Sequence, residues 1–349
     1  MKVLHLYPEN QPVIARHVEV LADACSRYSD MTVWRSPFDI VPDIVHVHGC
    51  WQHAVVRQAE QLRRQGARIV LTPHDQLEPW VISERQLQEK MVKTILWQRR
   101  LTEHSYVLIA HGPMEAEALG RLKWNPRIET IANAVITNTI TADEMARQTR
   151  AVYQKVMDSH TIDLMADDTH SLLVTLIKAG ITGDSRWIDP QLLSQQEWQF
   201  NRLPEEEWRK LLLYADHENI RPTVDAGIAT LRLMVPPINT REITSYLPTD
   251  YQLPTVKAND VTGITIETRR QPLSMLHIVE LARALRRPDI EDDSLAEELN
   301  SRHLSRYFRR LLLLLQEETG LDEGFMPLQP IDDKQTRKMR KLLKNHLRI

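Results

Sequence analysis

Short apolar runs alternate with helix-length amphipathic stretches through the first 131 residues, and that alternation limits what the chain can build. Residues 3–7 (VLHLY) read as a buried strand closed by Pro8, and residues 13–28 carry apolar positions at helical spacing. Runs over 31–34, 44–47, 68–72, 107–110 and 128–131 repeat the strand pattern. Helical stretches over 53–65, 84–103 and 113–122 lie between them. Short apolar strands joined by crossover helices pair in parallel, because a helix is long enough to return the chain to the same end of the sheet. The expected fold class is therefore α/β, a Rossmann-like doubly wound parallel sheet.

Beyond Asn133 the pattern changes. Residues 142–158, 168–180, 191–217, 221–234, 272–287 and 294–319 read as helices, while 235–271 is spotted with proline and holds one β-rich piece, 263–268 (GITIET). Residues 150–349 contain only six glycines, and a second phosphate-binding sheet would normally spend several on its turns. We expect two domains: 1–140, Rossmann-like, and 141–349, mainly helical and of unknown role.

The segments PDIVHVHGCW (42–51), RIVLTPHDQLEPW (68–80) and RIETIANAVIT (127–137) carry a family likeness. Together they resemble the N-terminal, acceptor-side domain of family-4 glycosyltransferases of the GT-B type. That family has a D-I-V-H-x-H-G strand end, then a T-x-H-x-x-x-x-P strand end. A strand followed by a Ser-x-x-E helix start comes next, and then an I-P-N-G-V-D segment leading to the donor domain. Order and spacing agree over residues 1–137. The resemblance implies a glycosyltransferase-like protein of glycan or polysaccharide assembly, with a nucleotide sugar as co-substrate and a glycan or glycolipid as acceptor. The alternative is a non-catalytic descendant whose cleft binds a glycan or a protein.

Three departures bear on that choice. The loop after the first strand, PENQPVIARH, has no glycine, although Asn10 and Gln11 offer side-chain amides. The crossover segment reads Ala132-Asn133-Ala134-Val135-Ile136, keeping only the asparagine and valine of the family's pattern. The Glu-x7-Glu pair of retaining members is matched in spacing by Glu197 and Glu205, but without a glycine-rich strand–turn–helix setting, and we treat it as coincidence. No donor half is recognisable.

In a doubly wound sheet, ligands bind where strand C-termini open into a crevice. His48, Gly49 and Trp51 follow one strand end, His74, Asp75 and Gln76 another, and His111 and Gly112 a third, where the family usually places a serine. His74 and Asp75 are the best candidates for contacts near a reacting acceptor hydroxyl. His48, Gly49, Trp51, Gln76, His111 and Asn133 are candidate substrate-binding residues, and Trp51 or Trp80 could stack on a sugar face. The bland alternatives are a hydrogen-bonded core histidine for His46 and core packing for Trp80, Trp97, Cys25 and Cys50. His46-x-His48 also resembles one arm of a metal site that His53, His74 and His111 could complete. No carboxylate stands in register with it, so no metal and no cofactor are expected.

The formal net charge of -3 argues against nucleic acid as a partner. Two cysteines without metal-type spacing and an N-terminus without a signal-type apolar region point to the cytoplasm. The leucine run at 311–315 is too short to span a membrane and reads as a buried helix or an oligomer interface. From Lys334 to Ile349, Met339, Leu342, Leu343 and Leu347 sit at helical spacing among seven Lys/Arg. That is a basic amphipathic helix: a solvated terminal helix packed by one face, or a peripheral contact with the inner membrane surface or an acidic partner.

Overall fold

The structure, a computed structural model, describes residues 1–35, 40–78, 80–82, 92–187, 200 and 202–349. The chain divides into two compact units, residues 1–159 with 244–249 and 349, and residues 160–243 with 250–348. The first unit thus runs past position 140 and includes the helix that follows the last strand.

That unit is built from β1 (Lys2–Leu6), α1 (Pro12–Cys25), β2 (Thr32–Trp34), β3 (Ile44–His48), α2 (His53–Arg64), β4 (Arg68–Thr72), α3 (Val92–Glu103), β5 (Val107–Ala110), α4 (Pro113–Leu122), β6 (Ile128–Thr130) and α5 (Ala142–Met157). The six strands form one sheet in the order β2-β1-β3-β4-β5-β6, every neighbouring pair parallel. The first connection moves one way from β1 and the later ones move the other, so the order reverses between β1 and β3. A crevice opens above the strand ends at such a reversal. Proline at the first turn of α1 and of α4 supplies the fixed φ that starts each helix beside a strand end.

Strand periodicity sorts the two faces. Leu4, Leu6, Val45, Val47, Ile69, Leu71 and Leu108 point to one core, which Ala59, Leu101 and Leu119 complete. Val3, Ile44, Val70, Val107 and Ile109 point to the other, packed by Leu21, Cys25, Met145, Tyr153 and Val156. Helix α5 is tied to that second face by polar bonds as well. Arg68, only 3% exposed, donates to the Val156 and Met157 carbonyls, placing a cation at the negative end of the helix. Lys155 pairs with Glu129 at 2.7 Å, and the Tyr246 hydroxyl donates to the same carboxylate at 2.9 Å.

The second unit comprises α6 (Asp167–Thr182), α7 (Glu205–His217), α8 (Arg221–Thr230), α9 (Val261–Arg270), α10 (Met275–Leu285), α11 (Asp292–Ser301), α12 (Ser305–Thr319) and α13 (Lys334–Asn345). It has no strand among the described residues. The β-rich reading of 263–268 is corrected: this is α9, a helix. Asp260 caps it by accepting from the Gly263 N–H at 3.0 Å, and Val261, Ile264, Thr265 and Thr268 then share one buried face. Capping and burial outweigh the weak β preference of Ile and Thr. The helix read over 294–319 is two helices, parted at His303, whose φ of 55° is left-handed. The stretch 191–199, including Glu197, lies outside the described residues.

Leu311, Leu312, Leu314 and Leu315 are fully buried in α12. Met339 and Leu343 of α13 join the same core, so internal packing uses much of that helix's apolar stripe and leaves Leu342 exposed. Among the described residues no helix is long and apolar enough to cross a membrane.

Helices α6 and α8 cross at two glycines. A Cβ on Gly180 would overlap the Thr223 carbonyl, and one on Gly227 would overlap the Leu176 carbonyl. Neither obstacle is a flexible side chain, so the helices must separate to admit even a methyl group. Gly227→Ala is expected to destabilise the second unit by about 3 kcal/mol. Gly324→Ala, with nothing within 4 Å of the added Cβ, is expected to change stability little. Urea unfolding of the two variants checks the contrast.

Candidate functional site

The face of the sheet that packs on α1 and α5 changes character along the strands. Toward their N-termini it presents Val3, Ile44 and Val70; toward their C-termini it presents His5, His46, His48 and Thr72. His5 pairs with His46 in register across β1 and β3, and His48 pairs with Thr72 across β3 and β4. The period of two puts His46 and His48 on one face, as their spacing implies. His17 comes in from α1, His74 from the loop after β4 and His111 from the end of β5. Six imidazoles therefore meet, with neighbouring ring centroids between 3.9 and 5.6 Å apart.

Four of them form a directed chain. His111 Nδ1 lies 3.1 Å from the Ile131 carbonyl, His111 Nε2 3.1 Å from His74 Nδ1, His74 Nε2 3.3 Å from His48 Nδ1, and His48 Nε2 2.8 Å from His5 Nδ1. A carbonyl only accepts, so His111 donates from Nδ1 and, when neutral, accepts at Nε2. The same logic passes down the chain, each ring donating from Nδ1 and accepting at Nε2. It ends at His5 Nε2, which has no hydrogen-bond partner among the described residues. His46 stands beside the chain, its Nδ1 2.6 Å from the Tyr153 hydroxyl and its Nε2 2.7 Å from the Thr72 hydroxyl.

Burial keeps these rings neutral. It pushes His5 down to about 3 and His17 to about 4, and holds His46, His48 and His74 well below the ordinary value of 6.5. Mutual repulsion among the rings adds to the effect. His111 is lowered as well, again chiefly by burial, with its bond to Ile131 acting the other way.

Above the histidines lies a cavity of about 620 Å³, formed by the loops after β1, β4, β5 and β6. His74, Asp75, Gln76, His111 and Asn133 all line it, together with Asn10, Gln11 and Glu115. His48, Gly49 and Trp51 are not among its lining residues. His48 is fully buried in the chain just described. Gly49, at φ 76°, adopts a conformation glycine favours, and a Cβ there would press on Ile14 at 2.9 Å. Trp51 is 9% exposed and donates its indole N–H to the Gln76 carbonyl at 2.8 Å. Trp80 is exposed.

His74 touches the cavity but commits both ring nitrogens to neighbouring histidines. With Asp75 it forms a left-handed pair, φ 54° and 60°, a conformation tolerated best by Asn, Asp and His among side-chain-bearing residues. Glu115, buried in the first turn of α4, holds this turn in place. Its carboxylate accepts from the Asp75 N–H at 2.8 Å and from the His111 N–H at 2.7 Å, joining two strand-end loops. Burial pushes its pKa up to about 7 against those two bonds, with Asp75 and Glu78 adding to the rise. Gln76 does similar work beside it, donating to Gln11 at 2.7 Å and accepting from the Cys50 N–H at 2.6 Å. Asn133 is 1% exposed, and its Nδ2 has no partner among the described residues.

His5, His17 and Glu115 carry no local motif that marks them in the sequence. His5 lay inside an apolar run and His17 on the apolar face of α1, where each reads singly as a packing residue. The available signal was parity: His5, His46 and His48 occupy one face once β1 and β3 are paired.

Residues 28–139 match the family model described as Glycosyltransferase Family 4. That match covers β2 through β6, and it supports a family-4 glycosyltransferase domain in the sheet-forming part of the first unit. No curated protein and no solved structure matches the chain.

The lowered imidazoles set a pH dependence. An unfolded histidine takes up its proton near 6.5, whereas these rings refuse it until far lower pH, so the stability they contribute is present above 6.5 and is lost as pH falls toward 4 and 3. Glu115 works oppositely in part of that window, because its raised pKa favours the folded state as pH falls from about 7 to 4.5. Several histidines outweigh one carboxyl. The first unit is expected to lose stability on acidification, each ring adding up to about 1.4 kcal/mol per pH unit. Glu115→Gln is expected to steepen the loss, and denaturant unfolding at a series of pH values measures both.

Proposed function

We propose that the first unit is the acceptor-side domain of a glycosyltransferase-like protein of glycan assembly, its cavity receiving a hydroxyl-rich glycan or glycolipid. One observation carries this reading: three of the four loops that line the cavity lie inside the segment matching family-4 glycosyltransferases. The polar groups suit such a ligand. Asp75 is exposed and can accept from sugar hydroxyls, while the Asn133 amide holds an N–H without a partner. Glu115 and Gln76 act as positioning residues that fix the loops. An activated nucleotide sugar is the co-substrate in this reading. An acceptor carried on a lipid would bring the chain to an anionic surface, toward which the exposed Arg337, Lys338, Lys341 and Lys344 of α13 offer positive charge.

A second reading has its own support. Every regular element among the second unit's described residues is a helix, without a parallel sheet to present phosphate-facing turns. That favours a descendant which binds a glycan or a protein without transferring sugar.

The two are separated by titrating the full-length protein with nucleotide sugars, nucleoside diphosphates and oligosaccharides while following the thermal midpoint. A ligand at 100 times its dissociation constant stabilises by about 2.7 kcal/mol, which is readily seen. The transferase reading expects a rise with one nucleotide class and sugar transfer to an acceptor. Asp75→Asn should then lower kcat/KM for acceptor about tenfold, the effect of losing one polar contact. Saccharide binding without any donor response favours the binding protein. No response to either ligand class contradicts the transferase and the glycan-binding protein, and leaves only the protein-binding form of the second reading.

A further inference from the structure

Two sets of three histidines bring ring nitrogens within 4.8 Å of one another: His5, His46 and His48, and His17, His48 and His74. They are not equivalent. In the first set, hydroxyl bonds at 2.6 and 2.7 Å occupy both nitrogens of His46, and all three side chains are buried away from the cavity. In the second set, His17 is 2% exposed and its Nδ1 has no hydrogen-bond partner among the described residues. A buried polar atom left without a partner costs about 1–3 kcal/mol, and the His17 ring that carries this one brings a nitrogen within 4.8 Å of ring nitrogens of His48 and His74.

The spacing of two of these nitrogens suits a zinc ion. His48 Nδ1 and His74 Nε2 are 3.3 Å apart, the longest imidazole–imidazole contact in the chain. Two nitrogens bound to one tetrahedral zinc at about 2.0–2.1 Å are separated by about 3.3–3.4 Å. The His17 ring stands edge-on to His74, with centroids 4.9 Å apart, and 5.5 Å from His48, so the three rings surround a common point.

The surroundings of His74 supply a second, independent argument. A histidine ligand needs a lone pair on the bound nitrogen and a hydrogen bond from the other to hold the ring. The Ile131 carbonyl fixes a proton on His111 Nδ1, which leaves His111 Nε2 to accept from His74 Nδ1. His74 Nε2 is then the lone pair, and it faces His48 and His17. A carbonyl two rings away thus selects the tautomer that a metal requires.

We propose that His17, His48 and His74 hold a zinc ion at the floor of the cavity, with a fourth ligand position open toward the cavity. Three imidazoles without thiolate suit a borderline metal such as zinc rather than calcium or magnesium. Binding requires His48 to present Nδ1 as a lone pair. Its proton then sits on Nε2 and is donated to His5 Nδ1, whose own proton moves to His5 Nε2. Each ring keeps one proton and none is released. The open position, beside the cavity-lining His74, would take water or an anionic oxygen. Asp75 and Glu115, both on the cavity wall, offer negative charge to a bound dication. The proposal goes beyond the glycosyltransferase reading and stands or falls separately from it.

The test uses the untagged full-length protein, stripped with a chelator and then titrated with zinc or cobalt alone. One equivalent is expected to bind, and cobalt should give the intense visible bands of a four-coordinate site. His17→Ala should lower zinc affinity at least a hundredfold with little change in the circular dichroism spectrum. His53→Ala, on the exposed start of α2, should leave affinity unchanged. Absence of stoichiometric zinc binding by the unmodified protein overturns the proposal, whatever the variants do. So does binding that survives in a folded His17→Ala variant, or an octahedral cobalt spectrum.

Discussion

The site rests on the bond between the Ile131 carbonyl and His111. A buried imidazole held neutral must donate from one nitrogen and accept at the other, and a carbonyl leaves it no choice of which. That single constraint orders His111, His74, His48 and His5 in turn and relates the ends of β6, β5, β4, β3 and β1. The loops above those ends form the cavity. Glu115 and Gln76 add cross-links between them, so the cavity wall is held by polar bonds from below and from the side.

The arrangement is costly, which is informative. Apolar side chains would fill the same face of the sheet without unpaired nitrogens, as Val3, Ile44 and Val70 do lower on it. His74 and Asp75 add a left-handed backbone pair at the cavity rim. Unsatisfied nitrogens, backbone strain and a carboxyl shifted toward neutrality all concentrate within a few residues of one another. Such features gather where a protein binds something, because packing alone would remove them.

Much of the first unit was legible in the sequence. Strands over 68–72 and 107–110 are bounded by proline, histidine or charged turns and carry unbroken apolar runs, so their limits emerge from local pattern alone. The reading failed where tertiary context decides. GITIET looks extended by composition, yet Asp260 and a core on one side make it a helix. Of the cavity residues, His74, Asp75, Gln76, His111 and Asn133 could be singled out because each directly follows a strand or crossover. His5 and His17 could not, since nothing local separates a buried histidine that packs from one that belongs to a network. Only strand pairing reveals the network, and the crossing of Gly180 and Gly227 in the second unit is similarly invisible until α6 and α8 are placed together.

The direction of the histidine chain is read from its ring tautomers. A proton–nitrogen correlation spectrum of the protein with heavy-nitrogen histidine, recorded at neutral pH without added metal, reports the protonated nitrogen of each ring. Neutral rings are expected for His5, His48, His74 and His111, with the proton of each on Nδ1. Charged imidazolium signals from these residues, or a proton on Nε2 of His111, would contradict this assignment.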